Sequence, residues 1–389
     1  MITDVPTSND FEQSGKAFLN LAWESAIGLF YNLTSSDLIE SDDWGHDEQD
    51  YWKACQAPLA TSLGLAQQGI ELLIKARIAS VSPFLLIVGN PREWPKSNGP
   101  NIAFADFRTI DAQDLIRVHD MVMARVLPDS FKQRFEQMRR MRNSIFHTVD
   151  KRIEVQLNDV LKVILEASGT LLKTKWVAMR REYLLTEPNS IAFDVSDYEN
   201  AIMAKELMLI VDSFDPAFLL THLGFNKKQR RYLCHSCSRE LADFDSSVKP
   251  LLAQLRPNTA TSTTLFCIAC GQTVEVLRQR CVHKGCKGNV IEADDLFCCS
   301  CGNHQEPQPI STEHRTIGKF VAADDSGKTY NVFVAENRSE YRDEVTNEIT
   351  KTTSTTYTLA GGQALSRFDK GRYKIDGGPE LTSDDPNAL

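Results

Sequence analysis

Apolar positions recur at three- and four-residue spacing through most of the first 225 residues, the pattern of amphipathic helices packed on a shared core. Residues 11–34 read as one helix. From about 51 to 80, Leu63, Ala66, Ile70, Leu73 and Ile74 fall on one face and predict a long helix. On it Glu71 and Lys75 make an i,i+4 pair of the favourable polarity. The stretch 41–50 (SDDWGHDEQD) between these helices reads as an acidic, turn-rich loop. Pro83, Pro91, Pro95 and Pro100, with Gly89 and Gly99, make 82–110 an irregular connection. Asp111 then suits the N-cap of a helix DAQDLIRVHDMVMARVL. A basic helix is predicted over 130–148, and another over 152–184 with Leu157, Val160, Leu161, Ile164, Leu165 and Leu171 on one stripe. One or two more helices fill 197–224 and end near Gly224.

The periodicity then changes. Lys227, Lys228, Arg230 and Arg231 mark a charged junction into a cysteine-rich segment. Beyond it TYNVFV (329–334) alternates, and TTSTTYTL (352–359) is β-branched and aromatic. Gly361–Gly362 and Asp369-Lys370-Gly371 are turn signals, and the tail GGPELTSDDPNAL reads as loose. The expected organisation is an all-α helical bundle over 1–225, tandem four-cysteine zinc ribbons over 226–309, and a small antiparallel β module over 310–389.

Charge and cysteine content sharpen this picture. The chain of 389 residues has a formal net charge of −9, so any contact with nucleic acid must come from local basic patches. No run approaches the ~18 apolar residues of a membrane span, and the first residues show no signal-peptide pattern. There are 10 cysteines, all but Cys55 lying between Cys234 and Cys301. Paired thiols clustered in one part of a long chain favour thiolates on zinc in a reducing cytoplasm over a disulfide scaffold. Cys234 and Cys237 pair naturally with Cys267 and Cys270, and Cys281 and Cys286 with Cys298 and Cys301. Two thiolates two residues apart bite one Zn²⁺ from a tight turn, and two such turns close a tetrahedral shell with no open position. Two structural zinc ions are therefore expected, and none for catalysis. Cys299 is surplus, and His235 and His283 are either loop residues or substitute ligands. Arg278, Arg280, Lys284 and Lys287 flank the second site and offer either phosphate contacts or a solvated basic loop.

One constellation suggests catalysis. In MRRMRNSIFHTVD (138–150), Arg142-Asn143 precedes His147 on the basic helix, and Asn143 and His147 share a face at i,i+4. Arg230 to His235 and Arg278 to His283 have similar spacing but lie in the cysteine segment. The motif, with LAQQGIELLIKARIA (65–79) ahead of it and the helix opening near Asp111, resembles the HEPN superfamily over roughly residues 15–185. The ribonuclease members of that family carry an Arg, four to six residues, then a His, often with a polar residue after the Arg. The resemblance implies a homodimer through the helical domain, with metal-independent RNA cleavage where the two motifs meet. The RNA 2′-OH would attack the adjacent phosphate, leaving a 2′,3′-cyclic phosphate and a 5′-hydroxyl. His147 would move protons, Arg142 would steady charge on phosphorus, and Asn143 would orient them. Glu71 would either hold Arg142 or His147, or simply pair with Lys75. The resemblance also implies a toxin or anti-phage defence effector, with the ribbons gripping RNA or a protein or nucleic-acid trigger.

Three readings stay open from the residues alone. Lys132, Arg134, Arg139, Arg140, Arg142, Lys151 and Arg152 also suit a solvated basic face. On that basis the chain is a non-catalytic dimeric zinc-ribbon protein binding nucleic acid or protein. A ribbon-based transcription regulator is a third class, against which the net acidity argues. A GxxxxGK[ST] phosphate loop, a Rossmann glycine pattern and an HExxH motif are all missing from the sequence.

Overall fold

The computed structural model describes residues 1–34, 44–96, 101–148, 152–186, 199–242, 248–305, 309–342, 349–360, 362–375, 378–385 and 388. The chain divides into two compact units, Met1–Glu275 and Val276–Leu389.

The first unit is built on helices α1 (Ser8–Thr34), α2 (Trp44–Ala54), α3 (Gln56–Ala79), α4 (Ala112–Val122), α5 (Asp129–Thr148), α6 (Leu157–Leu171), α7 (Trp176–Thr186), α8 (Glu199–Ser213), α9 (Pro216–Leu223) and α10 (His235–Ala242). The predicted apolar face of α3 is buried in full: Leu63, Ala66, Ile70, Leu73 and Ile74 pack with Leu19, Ala22, Trp23 and Ala26 of α1. From α6, Val160, Leu161, Ile164 and Leu165 join this core. Trp23 meets Trp176 of α7 with ring centroids 4.7 Å apart. A polar knot lies beside these rings. Arg180 donates from Nη2 to Glu206 Oε1 (2.8 Å) and from Nη1 to Asn20 Oδ1 and Glu24 Oε1 (3.1 Å each), while Trp23 Nε1 donates to Glu206 Oε2 (2.8 Å).

Several boundaries differ from the sequence reading. Of the predicted acidic loop, residues 44–50 are helical, and in α2 Lys53 bonds Asp50 and Trp52 Nε1 bonds Glu48. The predicted helix over 51–80 restarts at Gln56. Pro58 has no N–H to offer the preceding turn, so it fits only the first turn of a new helix. The stretch 152–184 is two helices, because Leu172 turns extended after Gly169 and Thr170, both weak helix formers. Helix α4 stops at Val122, short of Leu127: the Asp120 carboxylate accepts Leu127 N (2.9 Å) and pairs with Lys132 (2.7 Å), turning the chain back. Asp111 occupies the N-cap position of α4 without a side-chain cap, since Arg108 takes its carboxylate at 2.6 Å. Gly224 ends α9 as expected, in the left-handed conformation.

Within the helical part, the short strands β1 (Ile2–Thr3) and β2 (Ile102–Ala103) pair in parallel. Helix α10 and strands β3 (Ala253–Leu255), β4 (Thr264–Cys267) and β5 (Thr273–Leu277) follow, β3 pairing with β4 and β4 with β5, both antiparallel. Asn200 of α8 donates to Glu240 of α10 (2.7 Å), and Tyr232 bridges Ala253, so this cysteine-bearing module is tied to the helices within the first unit.

In the second unit, β6 (Ile291–Glu292) belongs to the other cysteine group. Beyond it β7 (Pro309–Ala323), β8 (Thr329–Arg342), β9 (Ile349–Leu359), β10 (Ala364–Asp369), β11 (Arg372–Ile375) and β12 (Glu380–Thr382) form a closed antiparallel barrel in the order β10-β11-β12-β7-β8-β9. Phe320, Val332, Val334, Tyr357, Leu365, Tyr373 and Ile375 fill it. The predicted alternation of TYNVFV and the strand character of TTSTTYTL are both found here. The tail is not loose throughout. Leu381 is buried in the barrel, and Thr382 pairs with Ala323 to close it. Gly361 lies outside the described residues, while Gly362 and Gly371 take the positive φ that their turns require. Among the described residues no helix is long and apolar enough to cross a membrane.

Candidate functional site

A cleft of 480 Å³ opens between α3, α5 and the segment leading into α4. Glu71 and Lys75 line it from α3, Arg139, Arg142 and Asn143 from α5, and Thr109 and Asp111 from the connection. The apolar face of α3 locks this helix into the core, so the polar residues that follow each other at one-turn spacing are aimed at a fixed place. Gln67 donates to Glu71 Oε1 (3.0 Å), and Lys75 Nζ reaches Thr109 Oγ1 (3.3 Å). The surface pairing of Glu71 with Lys75 read from the sequence is therefore replaced by a buried carboxylate and a lysine turned toward the connection. Burial pushes the Glu71 carboxyl above its ordinary range, against the pull of Arg142, Lys75 and Arg139.

Helix α5 is rich in cations, and most are matched. Lys132 pairs with Asp120, Arg134 with Glu166, and both Arg139 and Arg140 with Glu136. Those two guanidinium groups hold the Glu136 carboxyl down at about 2. Arg142 has no carboxylate partner within 4 Å among the described residues. Its Nη1 donates to Asn143 Oδ1 at 2.9 Å, and both residues face the cleft half-buried. The structure thus brings Arg142 and Asn143 together with Glu71, Lys75 and Arg139, the last two not singled out as site residues by sequence spacing. The helix continues past His147 to Thr148, but the His147 side chain lies outside the described residues, as does Lys151. The cleft presents Lys75, Arg139 and Arg142 with the amides of Gln67, Gln68, Gln113 and Asn143, against the carboxylates of Glu71 and Asp111. Arg139 is held by Glu136 and Asp111 by Arg108, which leaves Lys75 and Arg142 as the cations that can take a phosphate oxygen.

The eight expected thiolates form two groups. Cys234, Cys237, Cys267 and Cys270 converge in the first unit; Cys281, Cys286, Cys298 and Cys301 converge in the second. Within each group the sulfurs lie within 4.8 Å of one another. The closest pairs are 3.6 Å (Cys234–Cys270), 3.8 Å (Cys237–Cys267), 3.8 Å (Cys281–Cys301) and 3.9 Å (Cys286–Cys298). A tetrahedral shell with metal–sulfur bonds of ~2.3 Å has sulfurs about 3.8 Å apart, so both groups fit a metal ion. The local backbone explains the fit. Gly271 and Gly302 adopt φ of 71° and 86°, and their amides bond back to Cys267 O and Cys298 O, the turn that folds each second thiolate toward the first pair. In the second group His283 N and Gly288 N donate to the sulfurs of Cys281 and Cys286. Cys299 is buried outside both groups with its thiol toward Phe297 O, and His283 Nε2 is engaged by His304 O at 2.7 Å. Four thiolates complete each group without Cys299, His235 or His283.

No protein-family model, no curated protein and no solved structure matches this chain.

Proposed function

We propose that the chain is a metal-independent endoribonuclease of HEPN type, and that the cleft of Arg142 and Asn143 binds the scissile phosphate. The observation that carries the reading is Arg142 itself. It lines a 480 Å³ cleft with Lys75, while the other cations of its helix, Arg139 at the cleft edge included, are matched by carboxylates. A guanidinium without a fixed carboxylate keeps its donors for a phosphate oxygen and for the charge that builds on phosphorus. Asn143, bonded to it, fixes its orientation. His147, five residues on, is assigned the proton transfers, with the RNA 2′-OH as nucleophile and a 2′,3′-cyclic phosphate and 5′-hydroxyl as products. A homodimer would double the Arg–His set at one phosphate. The two tetrathiolate groups are assigned structural zinc, because a closed four-sulfur shell leaves no position for substrate. In this account the ribbons present an RNA or a trigger to the helical domain, and the protein acts as a toxin or defence effector in the cytoplasm.

The test is cleavage of total cellular RNA by the purified, zinc-loaded protein. Wild type is expected to cut, and Arg142→Ala and His147→Ala to lose at least about 10²-fold in rate, the usual size of a lost acid–base or charge-stabilising group. Equal rates in all three would end the nuclease reading. The second reading, a non-catalytic binding protein, would then stand on the same cationic cleft, with RNA retained but uncut.

A further inference from the structure

A second pocket, of 150 Å³, lies elsewhere in the first unit, where α7, the end of α9 and the Cys267–Cys270 turn meet. Three cations line it from three separate elements. Lys175 precedes α7, Arg181 sits on α7, and Arg256 follows β3. Two of them come together at Gly224: Lys175 Nζ lies 3.5 Å, and Arg256 Nη2 4.0 Å, from the point where a Cβ would stand on it, and Arg256 Nη2 donates to its carbonyl (3.3 Å). Among the described residues neither has a carboxylate within 4 Å. Arg181 has only a long contact to Glu199 (3.9 Å), and its buried Nε has no hydrogen-bond partner.

Like charges gathered in one pocket repel one another, a cost that a bound anion would offset. An unmatched, buried guanidinium N–H is likewise a cost that a ligand would relieve. Most of the remaining lining is apolar. The Arg256 guanidinium stacks on the Phe266 ring at 3.7 Å, and Leu223 and Ile268 complete the wall. His222 lines the pocket too, and burial favours its neutral form, so it adds a hydrogen-bonding ring and no fourth charge. The volume, at ~30 Å³ per water, equals about five waters. That admits an anion with a body no larger than a single ring.

We propose that this pocket binds a phosphate monoester carrying a small planar apolar group. The phosphate would sit among Lys175, Arg181 and Arg256, and the planar group against the Arg256–Phe266 wall. The consequence reaches the first cysteine group. Gly271 follows Cys270 directly, and a Cβ there would lie 3.1 Å from Arg181 Nη1, so the ligand-binding arginine packs on the turn that shapes the thiolates. Occupancy should therefore slow loss of metal from Cys234, Cys237, Cys267 and Cys270. This inference does not depend on the nuclease reading.

The experiment uses the full, metal-loaded chain and phenyl phosphate as probe, titrated by calorimetry beside inorganic phosphate and phenol. The expected result is one saturable site per chain, weaker binding of inorganic phosphate, and none of phenol. Lys175→Gln and Arg181→Gln should each weaken phenyl phosphate at least tenfold with metal content and circular dichroism unchanged. Glu199→Gln, which releases Arg181, should tighten it. Metal release to a chelator should slow with the probe in wild type and not in Lys175→Gln. Absence of saturable binding to the folded wild type would overturn the proposal. So would binding that both variants retain unchanged, or binding lost in Arg142→Ala but kept in Lys175→Gln, which would place the phosphate in the other cleft.

Discussion

Gly15 and Gly69 face each other where α1 crosses α3. A Cβ on Gly15 would lie 3.0 Å from the Gly69 carbonyl oxygen, and a Cβ on Gly69 2.9 Å from that of Gly15. Backbone meets backbone here, so neither helix can give by moving a side chain. Two residues on, the same α3 presents Glu71 to the cleft, so this crossing also sets the depth of the site. Gly69→Ala gains about 0.5–1 kcal/mol of helix propensity, but separating the helices costs about 1–3 kcal/mol. The net expectation is destabilisation, read as a lower urea midpoint. An unchanged or higher midpoint would mean that the crossing is looser than the geometry implies.

Arg180 and Glu206 are the second fixed point of the helical unit. Both are buried, and Glu24, Asn20 and Trp23 share their hydrogen bonds. Arg180→Met strands the Glu206 carboxylate and should cost about 3–5 kcal/mol. Adding Glu206→Met should restore much of that loss, because the desolvation of both ions is then removed. A double-mutant cycle in urea checks this. Additive losses would show that the two residues do not act as a pair.

The pH dependence of stability should carry the mark of Glu71. Burial raises its folded-state pKa above the ordinary 4.5, so ionisation costs the folded state at higher pH. That cost is relieved as pH falls through the folded pKa, and the effect ends below the ordinary value, where both states are protonated. Glu71→Gln should accordingly be more stable than wild type at pH 8 and equal to it below pH 4. Lower stability of Glu71→Gln at pH 8 would show that attraction from Arg142, Lys75 and Arg139 outweighs burial.

Metal content separates ligand from bystander cysteines. Cys237→Ser should lose one of two metal ions per chain and lower the thermal midpoint of the first unit, since metal binding is coupled to folding. Cys299→Ser should keep both. Elemental analysis after gel filtration decides, and loss of metal in Cys299→Ser would reassign the second shell.

Much of this was legible in the sequence because strong local rules govern it. The 3.6-residue stripe of α3 and the alternation of β8 follow from burial of one face, and Cys-x-x-Cys-Gly specifies a turn and a ligand pair at once. The errors fall where a long-range partner decides. Arg108 taking the carboxylate of Asp111, and Asp120 calling back Leu127 and Lys132, have no short-range signature. Strand β12 was hidden because its single inward residue, Leu381, gains its meaning only from a barrel closed against Ala323, far away in the chain. In the cleft, Arg142 and Asn143 were readable from spacing, whereas Lys75 and Arg139 join them only through the packing of α3 against α5. The pairing of Arg139 with Glu136 sits at i,i+3 spacing, but only the structure shows that it leaves Arg142 apart.

If the Arg142 cleft supports attack of a 2′-OH on the neighbouring phosphate without a metal, the ends of the RNA fragments record it. Total RNA would be incubated with wild-type protein in EDTA, with the metal content checked before and after, and the new termini analysed. Wild type is expected to leave 2′,3′-cyclic phosphates and 5′-hydroxyls, and His147→Ala no new ends. Fragments ending in 3′-hydroxyl and 5′-phosphate, or cleavage that needs added Mg²⁺, would contradict metal-independent attack by the 2′-OH.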